Sequence, residues 1–186
     1  DRAPGASRVY ALSGLILDAG ALFITDTHMV PEPTPEQIAE MTVLAATEMR
    51  HFGLPPRIAL LSHSNFGSSH SPSARKMRAA LNLVRQNAPE LAVDGEMHAD
   101  AALSQALRER LVPDSRFDGP ANLLVMPNLD AANIALTVLS ASSSSPTVGP
   151  MLVGLSQPIH VLTPSVTSRG ILNLTALAAA EVAREG

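Results

Sequence analysis

Two short polar segments hold most of the side chains in this 186-residue chain that could do chemistry. In residues 62–71, His63 and His70 flank Ser64, Asn65, Gly67, Ser68 and Ser69. A hydroxyl beside an imidazole is the material of nucleophilic catalysis, and the same hydroxyls and amides, with Ser62, could instead cradle an anion. The competing reading is a polar loop after a buried strand, because serine, asparagine and glycine are also what turns are made of. Residues 94–100, DGEMHAD, group Asp94, Glu96, His98 and Asp100, enough oxygen and nitrogen for a metal or an acid–base pair. The plainer alternative is a strand-to-helix turn, with Asp100 as the cap and the charges facing water or a neighbouring subunit. Asn128, Asp130 and Asn133 follow another apolar segment in the same way, as caps or as ligand contacts.

Common cofactor motifs are missing. Gly149 and Gly154 have the spacing of a phosphate-binding loop, but Leu155 and Ser156 follow where that loop needs a lysine and then Ser or Thr. There is no Gly-x-Gly-x-x-Gly for a dinucleotide and no Gly-x-Ser-x-Gly nucleophile elbow.

The elements that must position these residues follow from periodicity. Residues 9–17 and 21–25 are aliphatic and joined by Asp18-Ala19-Gly20, which predicts a hairpin. Thr34, Pro35 and Gln37 form a capping box with proline at the first helical position, followed by Ile38, Met41, Ala45, Met49 and Phe52 at helical spacing and Gly53 as terminator. Residues 57–62 read as a strand, and Ser71-Pro72 starts a helix with Met77, Leu81 and Val84 on one face. Strands are expected at 91–94 and 122–126, separated by a helix over 99–111 with Leu103, Leu107 and Leu111 in line. A helix over 129–139, a serine run at 140–145 before Pro146 that reads as a linker, a strand at 159–162 and a helix over 168–184 complete the chain. The last helix has Ile171, Leu174, Ala178 and Val182 as its apolar stripe. This alternation predicts an α/β three-layer sandwich, its sheet mixed but mostly parallel, with the hairpin as an antiparallel edge. In such sheets ligands gather beyond the carboxyl ends of the strands, where residues 62–71 should lie.

Composition narrows the function classes. The chain is 46% hydrophobic and 16% charged, which excludes disorder. A net charge of -4 with Lys76 as the only lysine leaves no basic stripe for a nucleic acid. No apolar run approaches the roughly 18 residues of a membrane span. The absence of cysteine fits a reducing compartment, and a cytoplasmic location is expected. The chain begins at Asp1 without the apolar core of a signal peptide, so we read it as a piece of a longer protein.

Five segments in order, PEPTPEQIAE (31–40), LLSHSNFGS (60–68), VDGEMHAD (93–100), LVMPNLDAANI (124–134) and GPMLVGL (149–155), resemble the phosphate acetyltransferase family. They are most similar to its noncatalytic relatives fused to the C-terminus of large bacterial NADP-dependent malic enzymes. The resemblance implies a partial fold of the isocitrate/isopropylmalate dehydrogenase type. Residues 1–154 would form one subdomain, and 155–186 a strand and helix returning to an N-terminal subdomain that precedes Asp1. Active members carry PVNDLSRG, four residues, then Asp-Ile; the Ser and Arg bind phosphate, and the Asp takes the coenzyme A thiol proton. Aligned without a gap, Thr163, Pro164 and Gly170 occupy those positions. Proline has no charge to hold phosphate, and glycine cannot accept a proton. Ser168-Arg169-Gly170 repeats the lost tripeptide out of frame, although Arg169 could reach an anion from the helix start.

The resemblance therefore implies a domain with no catalytic residues of its own that senses acetyl-CoA and forms homodimers or higher oligomers. It would belong to a malic enzyme whose NADP and Mg or Mn sites lie in an N-terminal region of the same chain. Candidate acetyl-CoA contacts are Ser62, Ser64, Asn65, Gly67, Asn128, Asp130, Asn133, Thr163 and Arg169. The alternatives are a working acetyltransferase that uses Arg169 and another base, and a purely structural dimerisation domain.

Overall fold

The structure, a computed structural model, describes residues 1–143, 145–157, 159–162 and 166–185. Its six strands are β1 (Tyr10–Leu17), β2 (Gly20–Thr25), β3 (Arg57–Leu61), β4 (Ala92–Met97), β5 (Leu123–Val125) and β6 (Thr147–Val153). They form one sheet in the order β4-β3-β5-β2-β1-β6. β4, β3, β5 and β2 are parallel neighbours, while β1 runs antiparallel to both β2 and β6. The expected hairpin is present, but it is interior. β6 takes the edge, and the Gly149-Pro150 inside it is tolerated because an edge strand needs fewer ladder bonds.

Period-2 alternation sorts the strand side chains onto two faces. Ile58 and Leu60 of β3, with Leu123 and Val125 of β5, join Tyr10, Leu12 and the helices α1 (Pro35–His51) and α2 (Pro72–Asn87). Ala59 and Leu61, with Leu124, face the other side and pack with Ala101 and Ala102 of α3 (Ala99–Leu103) and with Ala132 and Leu136 of α5 (Leu129–Ser143). The result is the expected three-layer sandwich. Thr34 caps α1 through the complete capping box, and Gly53 takes its left-handed conformation at φ 73°. Ser71 caps α2, accepting from Ala74 N.

Three local expectations are corrected. The helix expected over 99–111 is two, α3 and α4 (Gln105–Leu111), because Ser104 turns extended and uses its hydroxyl to cap α4. Leu103 and Leu111 are consequently exposed, and the side chain that α4 buries is Arg108. The expected linker is mostly helix: α5 continues through Ser143, and β6 begins at Thr147. Residues 159–162 make only an isolated bridge, His160 to Met151, rather than a strand. The final helix, α6 (Ser168–Glu185), inserts Leu174 into the core on the α1–α2 side.

Candidate functional site

The loop after β3 is built around one carboxylate. Glu96, at the end of β4, is fully buried, and its Oε1 accepts from Ser64 Oγ at 2.7 Å, Gly67 N at 2.9 Å and Arg78 Nη1 at 2.8 Å. Phe66 N donates to the Glu96 carbonyl, and His98 N donates to Asn65 Oδ1. Arg78 supplies the counter-charge without which burying the carboxylate would cost several kcal/mol. Ser64 therefore meets a carboxylate and not an imidazole. His63 lies 3.3 Å from Ser71 Oγ, while Ser64 donates to a carboxylate already neutralised by Arg78.

The acidic segment is corrected in the same way. Asp94 is buried and paired with Arg85 at 2.9 Å, so neither it nor Glu96 faces water. His98, not Asp100, is the N-cap of α3, and Asp100 accepts from Ala101 N within the first turn. Among the described residues no three His, Asp or Glu are grouped to hold a metal ion.

At the end of β5, Asn128 Oδ1 accepts from Ala131 N and caps α5, while its amide donates to Glu32. Asn133 donates to the Thr27 carbonyl, and Asp130 is exposed in the first turn. These are the bonds of caps and loop ties.

A cavity of about 330 Å³ lies instead between β6 and the start of α6. Thr147, Gly149, Val166, Thr167, Gly170 and Asn173 are among its lining residues. Gly170 presents no side chain there, and a Cβ added to it would stand 2.9 Å from Val166 Cγ2. A side chain at this position would have to displace the Val166 methyl. Nearby, burial holds the His160 imidazole below its ordinary range, against the opposing pull of Glu48. Thr163 and Pro164 lie outside the described residues, as does the side chain of Arg169.

The candidate contacts at 62–67 do not line the cavity beside β6. β3 and β6 are four steps apart in the sheet, about 19 Å at the usual strand spacing, so the loop at 62–67 and the cavity are separate places. Thr147 and Asn173 were missed by sequence reasoning. The available signal was the position of Asn173, one helical turn beyond Gly170.

This sheet order, with helices on both faces and a cavity between the edge strand and the last helix, defines an α/β three-layer domain with a mixed sheet. Residues 1–179 match the phosphate acetyl/butaryl transferase family, and the chain belongs to that family. It is 58% identical over 171 residues to an NAD-dependent malic enzyme of Rhizobium meliloti, covering 92% of this chain and 22% of that protein. It is 53% identical over 178 residues to an NADP-dependent malic enzyme of Escherichia coli, covering 95% and 24%. The chain thus spans less than a quarter of the length of these malic enzymes. Among solved structures it is similar to the EutD phosphotransacetylase from Staphylococcus aureus, with a TM-score of 0.91, 31% identity, and coverage of 96% of this chain and 56% of that one. No helix among the described residues is long and apolar enough to cross a membrane.

Proposed function

We propose that this chain is a noncatalytic, acetyl-CoA-sensing and oligomer-forming domain of a cytoplasmic malic enzyme that oxidatively decarboxylates malate to pyruvate and CO2. The observation that carries the reading is Gly170. It lines the cavity at the place where the resemblance puts the thiol-deprotonating aspartate, it has no side chain to take a proton, and an added Cβ would stand 2.9 Å from Val166 Cγ2. A cleft that keeps its shape and loses its base can bind without reacting.

The cavity is large enough for the acyl end of acetyl-CoA, with Thr147, Thr167 and Asn173 as hydrogen-bonding groups and the amino end of α6 facing it. Thr163 and Arg169, just before and within the start of α6, are the sequence candidates we retain for this site. Ser64 and Asn133 are left out, because their side chains are already bonded within the chain. Acetyl-CoA would act by preferring one of two conformations of the parent protein, which shifts their populations. The nucleotide, NADP by the resemblance, and the divalent metal would be held by the malic enzyme region outside this chain.

Residues 155–186 are proposed to pack against a companion subdomain. Arg2 bridges to Leu155, and Ala3 N donates to the Gly154 carbonyl, so two crossing points of the chain lie side by side. Beyond them Ile159, Val161, Leu162, Ile171, Leu172 and Val182 are all exposed.

The test is acetyl-CoA titrated against malate oxidation by the parent protein and by a form lacking this chain. The intact protein should respond and the shortened one should not. An equal response in both would remove the regulatory reading.

A further inference from the structure

Residues 1–9 form a strap that is fastened at both ends. At one end they run antiparallel to the stretch that leaves β6. There Ala3 N donates to the Gly154 carbonyl at 3.0 Å, Arg2 bridges to Leu155, and Ser156 donates its N–H and its hydroxyl to the Asp1 carbonyl, each at 3.0 Å. At the other end Ser7 donates its N–H and hydroxyl to the half-buried Glu40 carboxylate, which also accepts from the Tyr10 hydroxyl at 2.6 Å. Arg2 closes the strap on itself by donating to the Ser7 carbonyl.

α1 supports both fastenings. Glu40 and Leu44 are four apart on it and so share a face, and Leu44 Cδ1 is 3.3 Å from where a Cβ on Gly154 would stand. That Cβ would also stand 2.5 Å from the Arg8 carbonyl oxygen, and φ at Gly154 is 90°. Only glycine lets the strap and the outgoing chain lie this close. The walls of the cavity are joined through this point, because Thr147 and Gly149 precede Gly154 on β6, while Val166, Thr167 and Asn173 follow it at the start of α6. Movement at Gly154 relative to α1 is passed to the second wall and alters the gap.

We propose that Glu40 is a positioning residue for this cavity: through the strap it fixes the chain at Gly154, and with it the width the cavity presents to a ligand. This deepens the acetyl-CoA reading and rests on it. A loosened strap spreads the cavity over several widths, and apparent affinity falls with the fraction that stays competent. Calorimetric titration of acetyl-CoA into the parent protein should show binding about tenfold weaker in Glu40→Ala and about threefold weaker in Glu40→Gln, which keeps one acceptor. Gly154→Ala should also weaken it about tenfold, and the two alanine variants combined should lose little more than either alone, because both act on one contact. Glu109→Ala, on exposed α4, should bind like the parent sequence. Amide exchange in Glu40→Gln should quicken at residues 1–9 and 154–156 while the rest of the chain stays protected. Unchanged affinity in both Glu40 variants, or fully multiplicative losses in the double variant, would overturn the positioning role and leave acetyl-CoA binding standing. A parent protein that binds no acetyl-CoA would overturn both.

Discussion

Ser64 donates its hydroxyl hydrogen to Oε1 of Glu96 across 2.7 Å, joining residues 32 positions apart at the ends of two neighbouring strands. The same oxygen takes Arg78 and Gly67, so one buried carboxylate holds the loop after β3 in place. Glu96→Gln keeps acceptors for Ser64 and Gly67 but leaves Arg78 without its counter-charge. With Arg78 partly exposed, the expected loss is about 2–3 kcal/mol in urea unfolding, against about 1–2 kcal/mol for Ser64→Ala. A change under about 0.5 kcal/mol for Glu96→Gln would show that the network is not structural.

Arg108 makes a comparable hub on the other layer. Its five donors reach Ser115 Oγ and the carbonyls of Ala101, Ala102, Phe117 and Gly119, and its guanidinium lies 4.1 Å from the centre of the Phe117 ring. Arg108→Lys has three donors and no planar fork, so it should lose about 2–4 kcal/mol despite keeping the charge. Thermal unfolding indistinguishable from the parent sequence would refute this.

Tyr10, the sole tyrosine, gives an alkaline signature. Burial, and then the Glu40 carboxylate that its hydroxyl meets at 2.6 Å, hold the phenol well above its ordinary range. A group whose pKa is raised on folding contributes stability that is present below the unfolded value, about 10, and lost as pH rises above it. Denaturation midpoints should therefore fall above about pH 10, with tyrosinate absorbance appearing together with unfolding. Tyr10→Phe should flatten the alkaline decline; an unchanged decline would assign it to other groups.

Gly170 and Val166 are coupled by the 2.9 Å approach. Gly170→Ala should fail to stabilise the helix in the parent sequence, but gain about 0.5–1 kcal/mol when Val166→Ala has cleared the space. Equal effects in both backgrounds would mean that the cavity wall is not closed over this position. Gly170→Asp alone should yield no acetyl phosphate-dependent formation of acetyl-CoA in a coupled assay.

What was legible in the sequence was local. The Thr34–Gln37 box, Ser71 before Pro72, and the apolar strand at β3 each rest on neighbouring residues, and each appears as read. The break at Ser104 was hidden because a serine is compatible with a helix interior until its hydroxyl is used as a cap. β6 was hidden because Gly149-Pro150 argues against a strand unless its place at the sheet edge is known. The Ser64–Glu96–Arg78 network was illegible for a different reason. It joins three elements through contacts of long sequence separation, so residues that looked like chemistry in one dimension are structural in three.

Calorimetric titration of acetyl-CoA into the parent protein, alongside the coupled acetyl phosphate assay, tests the central claim most directly. The account predicts saturable binding that is lost when residues 1–186 are removed, with no acetyl transfer to phosphate. Clear turnover, or binding that survives removal of this chain, would contradict it.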